Sequence, residues 1–308
     1  MRLRATWMTI GTAVVLMTGI CGGRQEAQAQ TQGTGNAPAL ALADNPPSVY
    51  APPAPPRENE GVNNGGAHLD FNLDYMSEYI YRGLDYSKVA GNGHAADEQF
   101  DARLEFDTAH WPHPFLGVFG NILDSDPVSR FQEFRPYGGL ELTLRPLTIT
   151  VGDTYYVYPE REQFNTSEVF SKLTVDDGAL FGSTKPVFTP YFYGAYDYNL
   201  NKGFYLETGI KHEFAFEDWP LKITTLADIG YVNHIHQQFV FVSPKAYGFQ
   251  HYDVGLKLSY SLNALLGISD RFGKFSLEGS MWYTGGIQRH DFNTVDQLWG
   301  GAGFAFHY

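Results

Sequence analysis

The stretch that decides the fold is Phe100-Asp101-Ala102-Arg103-Leu104-Glu105-Phe106-Asp107, in which apolar and charged residues alternate strictly. A period of two predicts a β-strand with one apolar face and one charged face. Four charges on one face cannot line the dry core of a soluble sandwich, because unpaired buried charges are costly. A membrane barrel reverses the arrangement, with apolar side chains toward lipid and polar side chains toward the lumen. The stretch therefore predicts a transmembrane strand.

The same alternation recurs along residues 67–308, for example at 252–260 and at 298–306. Candidate strands lie near 68–83, 97–110, 115–123, 132–145, 147–158, 165–173, 187–198, 203–214, 221–233, 249–261, 273–284 and 296–308. The predicted fold is all-β, a transmembrane antiparallel β-barrel of about twelve strands, with ten and fourteen as the alternatives. The last strand carries Phe304, Phe306 and a terminal Tyr308, an alternation typical of segments that direct outer-membrane assembly. We therefore expect the barrel-assembly machinery to bind it.

Connection lengths test the strand count. In bacterial barrels both chain ends face the periplasm, so odd-numbered connections should be external and longer than even-numbered ones. The first connection (84–96), the ninth (232–248) and the eleventh fit this rule, and the second and fourth are short as required. The sixth, near 174–186, is long where a short turn is expected. Either the strand count is wrong there, or the sixth connection is an unusual insertion.

The N-terminus has the three features of a secretory signal. Arg2 and Arg4 supply the positive charge, residues 7–20 are apolar, and Ala27-Gln28-Ala29 is a small-x-small cleavage site. The apolar stretch is shorter than the roughly twenty residues that cross a bilayer. The alternative is a lipoprotein signal with Cys21 as the acylated residue. We interpret residues 1–29 as a signal peptide, which predicts export. Together with the predicted barrel, it predicts a location in the outer membrane of a Gram-negative-type cell envelope.

Residues 30–66 predict a disordered linker before the barrel at 67–308. Six prolines lie between positions 46 and 56 in a background of Ala, Gly, Asn and Gln, and such a segment has too little apolar surface to offset its ordering entropy. Removing residues 1–29 takes three of the 21 basic residues and one of the 34 acidic residues, which leaves a formal charge of −15. This balance argues against nucleic acid as a partner. The sequence specifies no oligomeric state.

Tyrosines cluster near the predicted strand ends, a pattern that indicates aromatic girdles at the membrane interfaces. The clusters are Tyr75, Tyr79 and Tyr81; Tyr155, Tyr156 and Tyr158; and Tyr191, Tyr193, Tyr196 and Tyr198. A soluble sandwich with a tyrosine-rich core is the alternative interpretation.

The first strand and the residues that follow it, 69–84, resemble the opening strand of the TorF-like family of proposed outer-membrane porins. The matching residues are Tyr79, Tyr81, Arg82 and Gly83. The resemblance implies an outer-membrane barrel with a transport role and supplies neither a substrate nor catalytic residues. The Pro-rich arm and the long sixth connection depart from the family pattern.

The same motif also has a physical interpretation. Gly83 can adopt positive φ where the strand meets a loop. Arg82 is an even number of residues from Asp74 and Glu78, so the two-residue period places all three on the inward face (the inward parity). We therefore expect Arg82 to pair with a carboxylate across the lumen. A selectivity-setting positive charge in a pore is the alternative role for Arg82.

Ionisable residues of inward parity are the candidate lumen or selectivity set, together with Glu78 and Arg82. They are Asp70, Asp74, Asp101, Arg103, Glu105, Asp107, Glu141, Arg145, Glu207, Lys211, Asp253, Lys257 and Glu278. Nine acids against four bases predict a narrow, weakly cation-preferring pore for small hydrophilic solutes or ions. The alternative is an interior closed by salt bridges, because about twelve strands enclose neither a filled core nor a wide channel.

Enzymatic and metal chemistry find little support. The pairs His234/His236 and His110/His113 lack a third ligand at a fixed spacing, so we predict no metal and no cofactor. An outer-membrane hydrolase would need a nucleophile and a base in hydrogen-bond reach, and the sequence offers only generic ingredients such as Ser280, His251 and Asn233. The protein is predicted not to be an enzyme. A non-conducting structural or adhesive barrel is the remaining alternative.

Overall fold

The computed structural model describes residues 66–86, 96–108, 111–123, 132–159, 161–216, 219–234, 247–288, 292 and 294–308. The predicted signal peptide and the predicted linker, apart from residue 66, lie outside the described residues. Large parts of the predicted outer loops 84–96 and 232–248 lie outside them too. Within the described ranges, no helix combines the length and the hydropathy needed to cross a bilayer.

Twelve antiparallel strands form a closed barrel, which confirms the predicted all-β fold and strand number. The barrel strands are β1 (Ala67–Met76), β4 (Asp97–Phe106), β5 (His113–Leu123), β6 (Gln132–Leu144), β7 (Leu147–Tyr156), β8 (Thr166–Val175), β9 (Tyr191–Asp197), β10 (Phe204–Ala215), β11 (Leu221–Asn233), β12 (Tyr247–Ser261), β13 (Lys274–Gly286) and β14 (Gln297–His307). Neighbours in sequence are neighbours in the barrel, and β1 closes it against β14. A closed barrel leaves no unpaired strand edge.

The chain ends of the barrel meet at one rim, which we call the terminal rim. Phe71 pairs with Phe306 on one side and with Ala102 on the other. Beyond β14, the N–H of Tyr308 donates to the carbonyl of Leu69 at 2.8 Å, and the N–H of Leu69 donates back to Tyr308 at the same distance. The opposite end, where β1 stops, is the far rim. Even-numbered connections lie at the terminal rim and odd-numbered connections at the far rim.

Side chains alternate between an apolar outer surface and a polar interior. On β1, Leu73 is 48% exposed and its neighbour Asp74 is 7% exposed. Outward-facing large apolar side chains recur around the barrel, including Leu116, Leu140, Val151, Val169, Phe192, Ile210, Val254 and Met281. Inward positions on the same strands carry charges, such as Glu141, Lys172 and Lys257, which are buried. The barrel therefore has the inverted arrangement that the alternating sequence predicts.

The first predicted strand, 68–83, is too long. β1 ends at Met76, and the chain then turns into the barrel as a short hairpin made of β2 (Ile80–Tyr81) and β3 (Leu84–Asp85). We call residues 77–86 the inner hairpin. Its strands pair with each other and not with the barrel, because Arg82 and Gly83 at the turn both have positive φ and reverse the chain. Its large side chains are fully buried.

The sixth connection, residues 176–190, is long as the sequence indicates, and it has a fixed conformation. A single 3-10 turn spans Gly178–Phe181. The Asp177 carboxylate accepts hydrogen bonds from the backbone N–H groups of Val187 at 2.7 Å and Phe188 at 2.9 Å. Burial alone would raise the pKa of Asp177, but hydrogen bonds from the N–H groups of residues 187–189 outweigh burial and hold the pKa below its usual value. The carboxylate thus clamps the two halves of the connection.

Replacing Asp177 with Ala is expected to release this clamp. The amides of Val187 and Phe188 should exchange with deuterium about tenfold faster, because each loses a charge-assisted hydrogen bond worth at least ~1.4 kcal/mol. Since the folded pKa is depressed, the clamp should be complete above about pH 4 and weaken as pH falls through the folded pKa. Asp176→Ala is the matched control, because that carboxylate accepts the local N–H of Gly178. Equal exchange in both variants would contradict the assignment.

Candidate functional site

Most of the predicted lumen residues lie inside the barrel. Asp74, Asp101, Arg103, Glu141 and Lys257 are buried, and so are Glu78 and Arg82 in the inner hairpin. Glu105 and Asp253 face inward and are partly exposed. Asp107 and Arg145 are instead exposed near the terminal rim, outside the strands. Asp107 lies past the end of β4 and Arg145 lies in the turn before β7, so strand parity does not apply to either.

Inward charges pair within and between strands. The Arg103 guanidinium donates to Glu105 at 2.7 Å and to Glu141 at 3.2 Å, and it lies 4.2 Å from the centroid of the Phe115 ring. The Lys257 ammonium forms an ion pair with Glu278, and both side chains are 2% exposed. These pairs cross-link β4 to β6 and β12 to β13. The interior is therefore a packed polar network at these levels.

The turn of the inner hairpin is strained. Arg82 has φ 50° and Gly83 has φ 73°, so both central residues occupy the left-handed region, as in hairpin turns of the primed type. Gly83 adopts this conformation freely and has the positive φ that the sequence predicts, whereas a residue with a Cβ such as Arg82 loses about 1–2 kcal/mol. Such strain persists only where the surroundings hold it, and it is typical of functional sites.

Glu168 on β8 holds Arg82 in this conformation. The guanidinium donates two parallel hydrogen bonds to the carboxylate, at 2.9 Å from Nη1 and 2.8 Å from Nη2, and both side chains are almost fully buried. The guanidinium also lies 4.3 Å from the Tyr205 ring centroid. The expected pairing of Arg82 with a carboxylate across the lumen is present. A bidentate pair of this kind fixes geometry as well as charge. We call it the Arg82–Glu168 latch.

A second set of contacts seats the base of the hairpin. The Tyr79 hydroxyl donates to Glu133 at 2.7 Å, and Arg135 donates to both Tyr79 and Glu133. The Arg135 guanidinium stacks 3.8 Å from the Tyr81 ring centroid. Around these groups, buried aromatic and aliphatic side chains form one cluster, which we call the mouth cluster: Tyr79, Tyr81, Leu84, Tyr86, Phe119, Tyr156 and Tyr158. The hairpin thus occupies the lumen at the far rim, where it contacts residues of β5 to β8.

The tip of the hairpin reaches the opposite wall. A Cβ added at Gly83 would lie 2.6 Å from the Cβ of His251 on β12, so only glycine permits this approach. The last connection also covers the tip, because the N–H of Val295 donates to the carbonyl of Gly83 at 3.2 Å. Phe292 in the same connection is buried. The inner hairpin therefore spans the lumen from β1 toward both β8 and β12.

Sequence reasoning missed Glu133, Arg135 and Glu168, the partners of the hairpin. Glu133 and Arg135 share the parity of Glu141 on the same strand, so the alternation rule alone could have identified them. Glu168 likewise shares the parity of buried Lys172. Their pairing with residues of the first connection carries no local signal, because it joins positions more than fifty residues apart.

The prediction of tyrosine girdles is wrong for most of the named residues. Tyr75, Tyr196 and Tyr198 are exposed as expected. The buried residues instead line the interior: Tyr79, Tyr81, Tyr156, Tyr158, Tyr191 and Tyr193. Side chains two residues apart share a face of a strand, so Tyr191 and Tyr193 point inward whereas Tyr196 is on the outward face. Tyr79 and Tyr81 are interior because the inner hairpin leaves the barrel wall.

Three inward groups that the sequence analysis did not connect meet on β10, β11 and β12. Potential ligand atoms of Glu207, Asp228 and His251 lie within 4.8 Å of one another. The Glu207 carboxylate already accepts hydrogen bonds from the hydroxyls of Tyr191, at 2.7 Å, and Tyr205. The group therefore belongs to a hydrogen-bonded tyrosine network. In each of the two histidine pairs considered in the sequence analysis, one member (His110 or His236) lies outside the described residues.

The hydrolase ingredients are far apart. His251 lies opposite Gly286 in the strand register, whereas Ser280 lies opposite Lys257. Six residues along β13 correspond to about 20 Å, since a strand rises roughly 3.3 Å per residue. Asn233 pairs with Tyr247, the first residue of β12, four residues before His251. These three residues do not form a catalytic triad.

Comparison with solved structures finds two porins and an outer membrane channel among the similar chains. The chain is similar to the KdgM porin in complex with disordered oligogalacturonate, at TM-score 0.42 and 8% identity over 78% of this chain and 98% of that chain. It is similar to the NanC porin at TM-score 0.45 and 9% identity, over 77% and 98%. The COG4313 outer membrane channel from Pseudomonas putida F1 gives TM-score 0.48 and 8% identity, over 79% and 96%. All three TM-scores are below 0.5 and all three identities are below 10%, so these similarities support no conclusion about this chain.

No curated relative matches the sequence. A family model described as "Bacterial protein of unknown function (Gcw_chp)" matches residues 60–272. That match covers more than half of the chain, including the inner hairpin and the strands from β1 to β12. The chain therefore belongs to the Gcw_chp family of bacterial proteins.

Proposed function

We propose that this protein is an outer-membrane channel for small hydrophilic solutes or ions, and that the inner hairpin narrows its lumen. The observation that carries the proposal is the inverted barrel, with apolar side chains outside and ionisable side chains enclosed. The resemblance of residues 69–84 to TorF-like porins supports a transport role. Phe304 and Phe306 on the closing strand β14 support recognition by the barrel-assembly machinery.

The enclosed charges favour cations. Among the described residues, the buried side chains other than Asp177 include eleven carboxylates and six Lys or Arg cations. Structural pairing neutralises many of them locally, as between Arg82 and Glu168. The remaining negative excess should lower the energy of a small cation in the lumen relative to an anion.

Conductance in planar bilayers tests this proposal. We expect the purified protein to give small conductance steps with a cation permeability about two- to fivefold above that of chloride. The ratio should fall toward one as salt rises from 0.1 M to 1 M, because the Debye length shrinks from about 10 Å to about 3 Å. Anion preference would contradict the proposed selectivity. The complete absence of steps, in the wild type and in variants without the latch, would contradict the channel itself.

A non-conducting structural barrel is the second candidate, and one observation favours it. The inward charges on β4, β6, β12 and β13 are buried and paired across strands, which is what a closed interior requires. Solute-dependent swelling of vesicles separates the two candidates. A channel releases the osmotic gradient of small sugars or salts, whereas a closed barrel does not when vesicles carry equal amounts of folded protein.

A further inference from the structure

The sixth connection exposes large apolar side chains to the surroundings of the barrel. Leu180 is 82% exposed and Phe181 is 56% exposed, and Phe188 in the same connection is also exposed. Each belongs to a segment whose backbone is held by Asp177 and by a hydrogen bond of 2.9 Å from the N–H of Ser183 to the carbonyl of Gly178. The apolar side chains are therefore presented in a fixed arrangement. Contiguous exposed apolar groups of this kind mark a contact surface.

Ring contacts connect these side chains to the outer wall of the barrel. Phe181 packs edge-on against Phe188, with 5.4 Å between the ring centroids. The ring centroids of Phe188 and His212 on β10 are 6.1 Å apart. The ring centroids of His212 and Phe214 are in turn 4.1 Å apart. The backbone follows the same path, because the N–H of Lys211 donates to the carbonyl of Phe188 at 2.7 Å.

His212 and Phe214 belong to the apolar outer face of β10. Lys211 and Glu213 alternate with them and pair with each other at 2.9 Å on the inner face. Ile210, two residues before His212, is exposed on the same outer face as Phe214. The apolar surface of the connection is thus continuous with the face that the proposed function assigns to lipid.

Neighbouring connections at the terminal rim carry the same kind of side chain. Phe216 and Trp219, between β10 and β11, are exposed. Between β12 and β13, the short helix α1 (Leu262–Leu266) exposes Leu265 and Leu266, and Phe272 follows it. Three successive connections on one rim therefore present apolar groups, a pattern typical of side chains at a membrane interface.

We propose that the sixth connection is a membrane-interface anchor, in which Leu180, Phe181 and Phe188 enter the boundary between headgroups and acyl chains at the terminal rim. This inference rests on the proposed membrane location of the barrel. Transfer of apolar side chains into that boundary is favourable. Because the turn already has a fixed conformation, the transfer carries no further cost of ordering its backbone. Exposed Lys185, four residues after Phe181, extends from the same connection and suits anionic headgroups. A lipid contact explains why a connection on the short-loop rim is long and apolar.

Site-specific lipid quenching tests the anchor. Cys21 is the only cysteine of the chain, so a Cys21→Ser background leaves no native thiol. Single cysteines replace Leu180, Phe181, Thr184 or Val169 in separate proteins, and each is labelled with an environment-sensitive fluorophore and reconstituted into vesicles. The vesicles contain phosphatidylcholine, phosphatidylglycerol and a lipid with a spin label near the headgroup. Val169 is the reference for the outer wall of β8, and Thr184 is the matched polar site within the connection.

We expect the labels at positions 180 and 181 to be quenched at least twofold by the spin-labelled lipid and to be shielded from aqueous iodide relative to position 184. Accessibility of positions 180 and 181 to iodide equal to that of position 184, without lipid quenching, would overturn the anchor. The reference site separates this result from failure of the proposed function. If position 169 is also unquenched by lipid, the barrel wall does not face the membrane and both proposals fall.

Discussion

Replacing Glu168 with Gln is expected to open the channel and to lower the free energy of unfolding by about 3–5 kcal/mol. The neutral side chain leaves the Arg82 guanidinium buried without its bidentate partner, and Arg82 already occupies a strained backbone conformation. The inner hairpin should then leave its seat on β8. The opened state should give conductance steps at least twofold larger than those of the wild type in planar bilayers.

Two further variants separate opening of the hairpin from general damage. Glu213→Gln is the matched control, because it weakens ion pairs with Lys211 and Lys222 without touching the hairpin. Its conductance should match that of the wild type. In the double variant Arg82→Met with Glu168→Leu, both buried charges disappear, so stability should return while the latch stays absent. Wild-type conductance in both Glu168→Gln and the double variant would show that the latch does not narrow the lumen.

Replacing Val151 with Arg is expected to cost about 2–4 kcal/mol of folding free energy in a bilayer. Val151 lies in the middle of β7 on the outer face and is 44% exposed, so the cost arises from lipid and not from lost packing. Urea titration of the protein in vesicles, followed by the heat-modifiable mobility of the folded barrel on gels, measures it. We expect the variant to unfold at a clearly lower urea concentration than the wild type.

Leu144 provides the control for membrane depth. It lies on β6 at the terminal rim and is 57% exposed, so Leu144→Arg should cost only about 0–1 kcal/mol near the interface. On a water-facing surface, both substitutions would instead fall within about 0.5 kcal/mol of the wild type. Equal costs at the two positions would therefore contradict the membrane orientation of the barrel.

Strand positions were predictable because alternation is a local property of the chain. The ninth predicted strand, 221–233, coincides with β11, and most other strands agree within a few residues. The largest error is at 68–83, where the alternating pattern continues past Met76 although the chain leaves the wall. Sequence parity cannot distinguish a strand in the wall from a hairpin inside it, since both alternate with the same period. The predicted start of β9 at 187 is early, because Pro190 has no N–H to donate to the strand ladder.

The functional residues were only partly predictable. Parity correctly placed Asp74, Asp101 and Glu141 inside the barrel. The Tyr79-x-Tyr81-Arg82-Gly83 motif stood out in the sequence, but its role depends on Glu168 and Glu133, which lie 86 and 54 positions away from their partners. Which inward groups meet depends on the stagger of the strands around the closed barrel, and a single sequence carries no direct record of that stagger.

The sequence by itself determined the fold class, an approximate strand number and the face on which each strand carries its charges. These follow from a two-residue period and from the cost of burying unpaired charges, which act within one strand. The tertiary structure alone decided that residues 77–86 fold inward and that Arg82 binds Glu168. It also decided that the sixth connection lies against the outer wall. These arrangements depend on contacts between distant segments, and only closure of the barrel brings those segments together.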